Sequence, residues 1–114
     1  MFSEYSCNLK NRIAIYVPST INVNKEIDTS FYVNTIAEKF SDFFGGATAI
    51  QASGFWISEK IGLVAEKVTI VYAFSDTTIL KKHEQDIINL CNWLKTELSQ
   101  EAISLECNNE LYFI

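Results

Sequence analysis

His83 is the chain's one histidine, and it stands beside Glu84 and Asp86, groups that in the right geometry orient an imidazole for proton transfer. Spacing places no serine or cysteine nucleophile beside it, so the sequence offers no argument for a Ser-His-Asp or Cys-His arrangement. Among charged neighbours on a helical turn, its expected place is solvent. Cys7, Cys91 and Cys107 share no CxxC spacing, and with a single histidine they form no ligand set. No metal and no cofactor is expected. Gly45-Gly46-Ala47-Thr48 has the small residues of a phosphate loop. It lacks the Lys-Ser/Thr ending and follows a helix instead of preceding one, which makes it a helix stop.

Contact chemistry is better represented than catalysis. Ala47 to Ile57 contains no charge and no proline, a pattern that invites another strand to pair with it at a sheet edge. The far end of the same hairpin gathers Phe55, Trp56, Ile57, Ile61 and Leu63 into an apolar tip. With Ile50 and Gln51 these are the candidate protein-contact residues. A second set, Tyr16, Lys67, Thr69 and Tyr112, with Gln51, is expected on an open sheet face where a small molecule could sit. Glu66 has the parity of an inward residue, next to the hairpin end. Glu97, Glu101, Glu106 and Glu110 read as a solvated acidic face.

These residues need a scaffold, and the hydrophobic pattern supplies one. Arg12 to Pro18 alternates, with Ile13, Ile15 and Val17 on one side, and Pro18 ends the strand. Val33, Ile36, Ala37, Phe40, Phe43 and Phe44 recur at helical spacing, with Asp28, Thr29 or Ser30 as cap and Gly45 as stop. Ala47–Ile57 and Leu63–Phe74 form the two hairpin arms, joined by SEKIG, and Gly54 suggests a bulge. Asp76 or Ser75 starts a second helix whose buried stripe is Leu80, Ile87, Leu90, Cys91, Leu94 and Leu98. Residues 101–107 alternate again, Asn108-Asn109 turns, and 111–114 return.

The fold expected is α+β: a ferredoxin-like βαββαβ sandwich with an extra C-terminal strand. Numbering the five strands along the chain, right-handed crossovers give the sheet order 5-4-1-3-2, with both helices on one face. By parity, Val68, Ile70 and Tyr72 join Ile13, Ile15 and Val17 beneath the helices. Lys67, Thr69 and Val71 then point the other way. Residues 1–114 make one domain, of which 1–11 are a loose leader.

Composition narrows the partners. The chain of 114 residues has net charge −5, with nine basic against fourteen acidic side chains, which disfavours phosphate backbones. No apolar run reaches membrane-spanning length. Free thiols and no visible leader segment point to the cytoplasm.

Gly45-Gly46-Ala47-Thr48, Gly54-x-Trp56 and Gly62-Leu63-Val64-x-Glu66-Lys67-Val68-Thr69 together resemble a group of small uncharacterised bacterial proteins. Ile13 to Thr20 and Leu111 to Ile114 fit the same pattern. The resemblance implies an accessory gene of a chromosome, plasmid or other mobile element, with no activity attached. From sequence, the expected function is a small, non-enzymatic binding module acting through protein contacts, of inhibitor or immunity type. Its partner would be another protein or a second copy, met through the Ala47–Ile57 edge. The alternative is a ferredoxin-like dimer, or enzyme, binding a small molecule on the open sheet face.

Overall fold

A computed structural model describes residues 2–4, 7–22 and 25–114. The main elements are β1 (Asn11–Pro18), β2 (Thr20–Ile21), β3 (Lys25–Glu26), α1 (Ser30–Phe44), β4 (Thr48–Ser58) and β5 (Gly62–Ser75). They are followed by α2 (Thr77–Lys82), α3 (Glu84–Glu97), β6 (Ser104–Cys107) and β7 (Glu110–Phe113). The expected leader, residues 1–11, lies partly outside the described residues. Cys7–Lys10 are exposed coil and Asn11 already belongs to β1.

Five strands make one antiparallel sheet in the order β4-β5-β1-β6-β7, which is the strand order expected from the crossovers. Ile36 and Phe40 of α1, Leu80 of α2, and Ile87, Cys91 and Leu94 of α3 form one cluster with Ile13, Ile15, Val17, Ile103 and Leu105. The helices therefore cover a single face. Removing each such side chain from water stabilises by about 1.5–3 kcal/mol, which is what holds the helical layer to the sheet.

Local chemistry sets the ends of the elements. Asp76 caps α2 by accepting from the Ile79 N–H at 2.7 Å. Gly45 stops α1 in the left-handed region, at φ 89°, with its N–H donating to Ser41 O. Asn108 and Asn109 both take positive φ, 51° and 71°, and so join β6 to β7 in the expected tight turn. At the start of α1, Thr29 occupies the cap position without a side-chain bond. The Asp28 carboxylate instead accepts from the Ser30 N–H and hydroxyl. These two hydrogen bonds hold the Asp28 carboxyl below its ordinary pKa.

Four expectations need correcting. The second helix is broken at His83 into α2 and α3. His83 is not solvated: its ring stacks on Phe43 at 4.3 Å and bonds Asp86 at 2.8 Å. Gly54 marks no bulge, since β4 and β5 pair without interruption from Thr48↔Tyr72 to Ser58↔Gly62. The fourth correction concerns the faces. Ile13 pairs with Ala73, Ile15 with Val71 and Val17 with Thr69. Cross-strand partners share a face, so Thr69, Val71 and Ala73 lie under the helices. Val68, Ile70, Tyr72 and Phe74 lie on the opposite, open face. Val71 and Ala73 are buried, and these small side chains let α1 approach the sheet closely.

Candidate functional site

β1 ends at Pro18, paired with Val68, but β5 runs on to Gly62. Residues 62–67 and their partners 53–58 therefore project beyond the sheet as a two-stranded arm, about 20 Å long at the usual rise per residue. The molecule measures 53 Å along its long axis and 29 Å across. No charge falls within Thr48–Ser58, so nothing in β4 opposes burial of the arm.

Two open clefts lie at the root of the arm. The first, about 600 Å³, lies between the start of α1 and the helix side of β4 and β5. Its polar lining includes Asp28, Ser30, Asn34, Gln51, Ser53, Lys67 and Thr69. The second, about 580 Å³, is lined by Trp56, Ile61, Val64, Glu66, Lys67 and Glu26. Ser19, Glu26 and Lys67 belong to both, so the clefts adjoin. The small β2–β3 ribbon supplies their shared wall. Ile27 N–H donating to Ser19 O, Asn22 N–H to Leu98 O, and the Gln100 side chain to Thr20 O hold it in place.

Together the clefts present a half-exposed indole, three carboxylates (Glu26, Asp28 and Glu66) and one ammonium. No ion pair among the described residues engages Glu26, Glu66 or Lys67. Glu66 is half-buried and pairs across the strands with Gly54. That register puts it on the open face and not the inward one expected for it.

The structure separates the residues that the sequence grouped. Trp56 and Ile61 line the second cleft, while Ile50 and Gln51 line the first. Phe55, Ile57 and Leu63 line neither; they share the arm's helix side and are 64%, 73% and 65% exposed. The set Tyr16, Lys67, Thr69 and Tyr112 does not share an open face. Only Tyr16 lies there. Lys67 and Thr69 face the helix side, and Tyr112, paired with Leu105, lines a groove beside Ile87 and Ile88 of α3. The parity slip has a physical cause: β5 is apolar on both sides, so alternation alone cannot orient it.

Tyr16 instead forms a built cluster on the open face. Its hydroxyl donates to Glu106 Oε1 at 2.8 Å, and Arg12 Nε lies 3.4 Å from Glu106 Oε2. The Arg12 guanidinium also sits 4.0 Å above the Tyr72 ring. The hydrogen bond to Glu106, then burial, raise the Tyr16 pKa above its ordinary value.

No family model matches this sequence, and no curated protein does either. Solved structures do. A phage SAM lyase in complex with S-methyl-5'-thioadenosine aligns with 96% of this chain and 94% of its own, at TM-score 0.64 and 15% identity. A phage SAM lyase in the apo state aligns with 97% and 93%, at TM-score 0.69 and 16% identity. At such identities the likeness is one of fold. It overturns the expectation of a non-enzymatic binding module of inhibitor type, because the architecture that this chain shares almost end to end is that of an enzyme.

Proposed function

We propose that this protein is a lyase acting on S-adenosylmethionine, and that its substrate occupies the two adjoining clefts at the root of the arm. The observation that carries this reading is the likeness of fold, over nearly all of both chains, to a phage SAM lyase seen with S-methyl-5'-thioadenosine.

The cleft residues support it on chemical grounds. The substrate carries a sulfonium and an ammonium against one carboxylate, so a net acidic chain attracts it. Trp56 offers an indole face on which a purine stacks or a sulfonium rests. Glu26 and Glu66 match its cationic centres and Lys67 its carboxylate. Release of S-methyl-5'-thioadenosine breaks the bond between sulfur and the γ-carbon of the aminobutyryl chain, and the electron pair stays on sulfur. The sulfonium becomes a neutral thioether, which loses its attraction to Glu66. Substrate is held more firmly than product. With no water consumed, the remaining fragment either closes on its own carboxylate or gives up a β-proton to a base such as Glu66.

The sheet order and the single helical layer support reading the fold as ferredoxin-like with one added strand, acting as one domain. The GGAT…GxW…GLVxEKVT pattern supports an accessory gene of a bacterial mobile element, and the free thiols support a cytoplasmic location. No helix among the described residues is long and apolar enough to cross a membrane. The partner in this reading is a second copy of the chain.

Purified protein incubated with S-adenosylmethionine is expected to release S-methyl-5'-thioadenosine, followed by chromatography and mass spectrometry. Replacing Glu66 with Gln removes one charge-assisted contact, worth about 1.5–3 kcal/mol, and is expected to lower kcat/KM by roughly tenfold to a hundredfold. Substrate left intact by the native protein refutes the reading.

A further inference from the structure

Gly54 stands in the middle of β4 without a reason that the single chain supplies. Its backbone lies outside the left-handed region, and the pairing around Gly54↔Glu66 is unbroken on both sides. A Cβ there would meet one atom, the Glu66 carbonyl oxygen at 3.8 Å, which is ordinary contact. The Trp56 indole, two residues along on the same face, does not fold over the gap, since none of its atoms comes within 4 Å of that position. A glycine weakens the interior of a strand through chain entropy and the lack of a side chain to pack. Kept where there is no turn, no bulge and no close neighbour, it marks a point where something from outside approaches the backbone.

The surroundings of Gly54 indicate what approaches. Tyr16, Gly54, Glu66, Val68, Gln100 and Ser104 line a third open cleft, of about 240 Å³, where β1 ends. Glu66 and Lys67 line both this cleft and the one that holds Trp56, so the two join there. The Gln100 side-chain nitrogen donates to Thr20 O and Leu98 O, which leaves its Oε1 as an acceptor. We infer that Gly54 is a specificity-determining residue, the bare floor over which the aminobutyryl tail of S-adenosylmethionine passes from Glu66 into the third cleft. This placement rests on the lyase reading and leaves the purine on Trp56. The two methylenes of the tail lie across Gly54 and Val68. At its far end the ammonium meets Gln100 Oε1, and the carboxylate meets Lys67 and the Ser104 hydroxyl. S-methyl-5'-thioadenosine has no such tail, so a side chain at position 54 obstructs the substrate and spares the product.

Gly54→Ala and Gly54→Val test this in the intact protein. Neither substitution meets a clash in the single chain, and valine suits a strand. Gly54→Ala is expected to raise the melting temperature by about 2–5 °C, because it removes freedom from the unfolded chain alone. In the same protein kcat/KM for S-adenosylmethionine is expected to fall about tenfold, and in Gly54→Val about a hundredfold. Calorimetric titration with S-methyl-5'-thioadenosine is expected to give both variants the native affinity. A gain in stability beside a loss confined to the longer ligand is a pattern that a purely structural glycine does not produce. Variants that turn over S-adenosylmethionine as the native protein does overturn the assignment. So does an equal loss of affinity for S-methyl-5'-thioadenosine, which puts the nucleoside over Gly54. A changed mass in light scattering overturns it too, since another chain would then be what approaches the strand. Native protein that binds S-methyl-5'-thioadenosine but leaves S-adenosylmethionine intact refutes the lyase reading itself, and this placement with it.

Discussion

Glu106 shows how a residue can be visible in a sequence while its role is not. It reads there as one member of an acidic series, yet in the fold it takes the Tyr16 hydroxyl and the Arg12 guanidinium across ninety residues of chain. Removing the hydroxyl with Tyr16→Phe is expected to cost about 1 kcal/mol in urea unfolding at neutral pH. The pH dependence has a definite sign. A tyrosine whose folded pKa is raised contributes stability that is complete below its unfolded value of about 10 and is lost as pH rises through the folded value. The Tyr16→Phe variant should therefore close its gap to the native protein in strongly alkaline solution. The cysteines allow a second check. Burial pushes the Cys91 thiol up to about 12, whereas Cys7 is exposed. A thiol reagent at neutral pH is expected to label Cys7 at once and Cys91 only on unfolding. Fast labelling of Cys91 would contradict its place in the core.

At the scale of elements, signals that act within a few residues were legible and those that depend on register were not. Gly45, Asp76 and Asn108-Asn109 sit where their backbone preferences placed them, because caps and tight turns are decided locally. Asp76→Ala is expected to cost about 1 kcal/mol by leaving the Ile79 N–H without its acceptor, measurable as a lower melting temperature. The faces of β5 were not legible. Val68, Ile70 and Tyr72 are as apolar as Thr69, Val71 and Ala73, and only the pairing with β1 decides which set the helices cover. The break at His83 was hidden for a related reason. Its stacking on Phe43 of α1 is a tertiary contact that no spacing within α2 and α3 announces.

For the whole molecule, the order of the five strands followed from right-handed crossovers, and the overhang of the long hairpin followed from strand length. Function did not follow. The cleft residues come from β3, β4, β5, the start of α1 and the segment before it. Trp56, Glu66 and Lys67 stand in the GxW…GLVxEKVT pattern, but no chemistry attaches to that spacing, so their convergence with Glu26 exists only in the fold. Trp56 was visible as an apolar tip residue, and its place beside Glu66 and Glu26 is what turns the tip from a contact surface into a candidate site. The two tryptophans make this testable in one experiment. Trp56 lines the second cleft, while Trp93 packs in an aromatic cluster with Phe31 and Tyr32. Titrating ¹⁵N-labelled protein with S-methyl-5'-thioadenosine is expected to shift the Trp56 indole N–H signal and the Glu66 and Lys67 amides, leaving the Trp93 indole in place. An unmoved Trp56 signal at saturating ligand, or a shift confined to Trp93, would contradict a nucleoside site at the root of the arm.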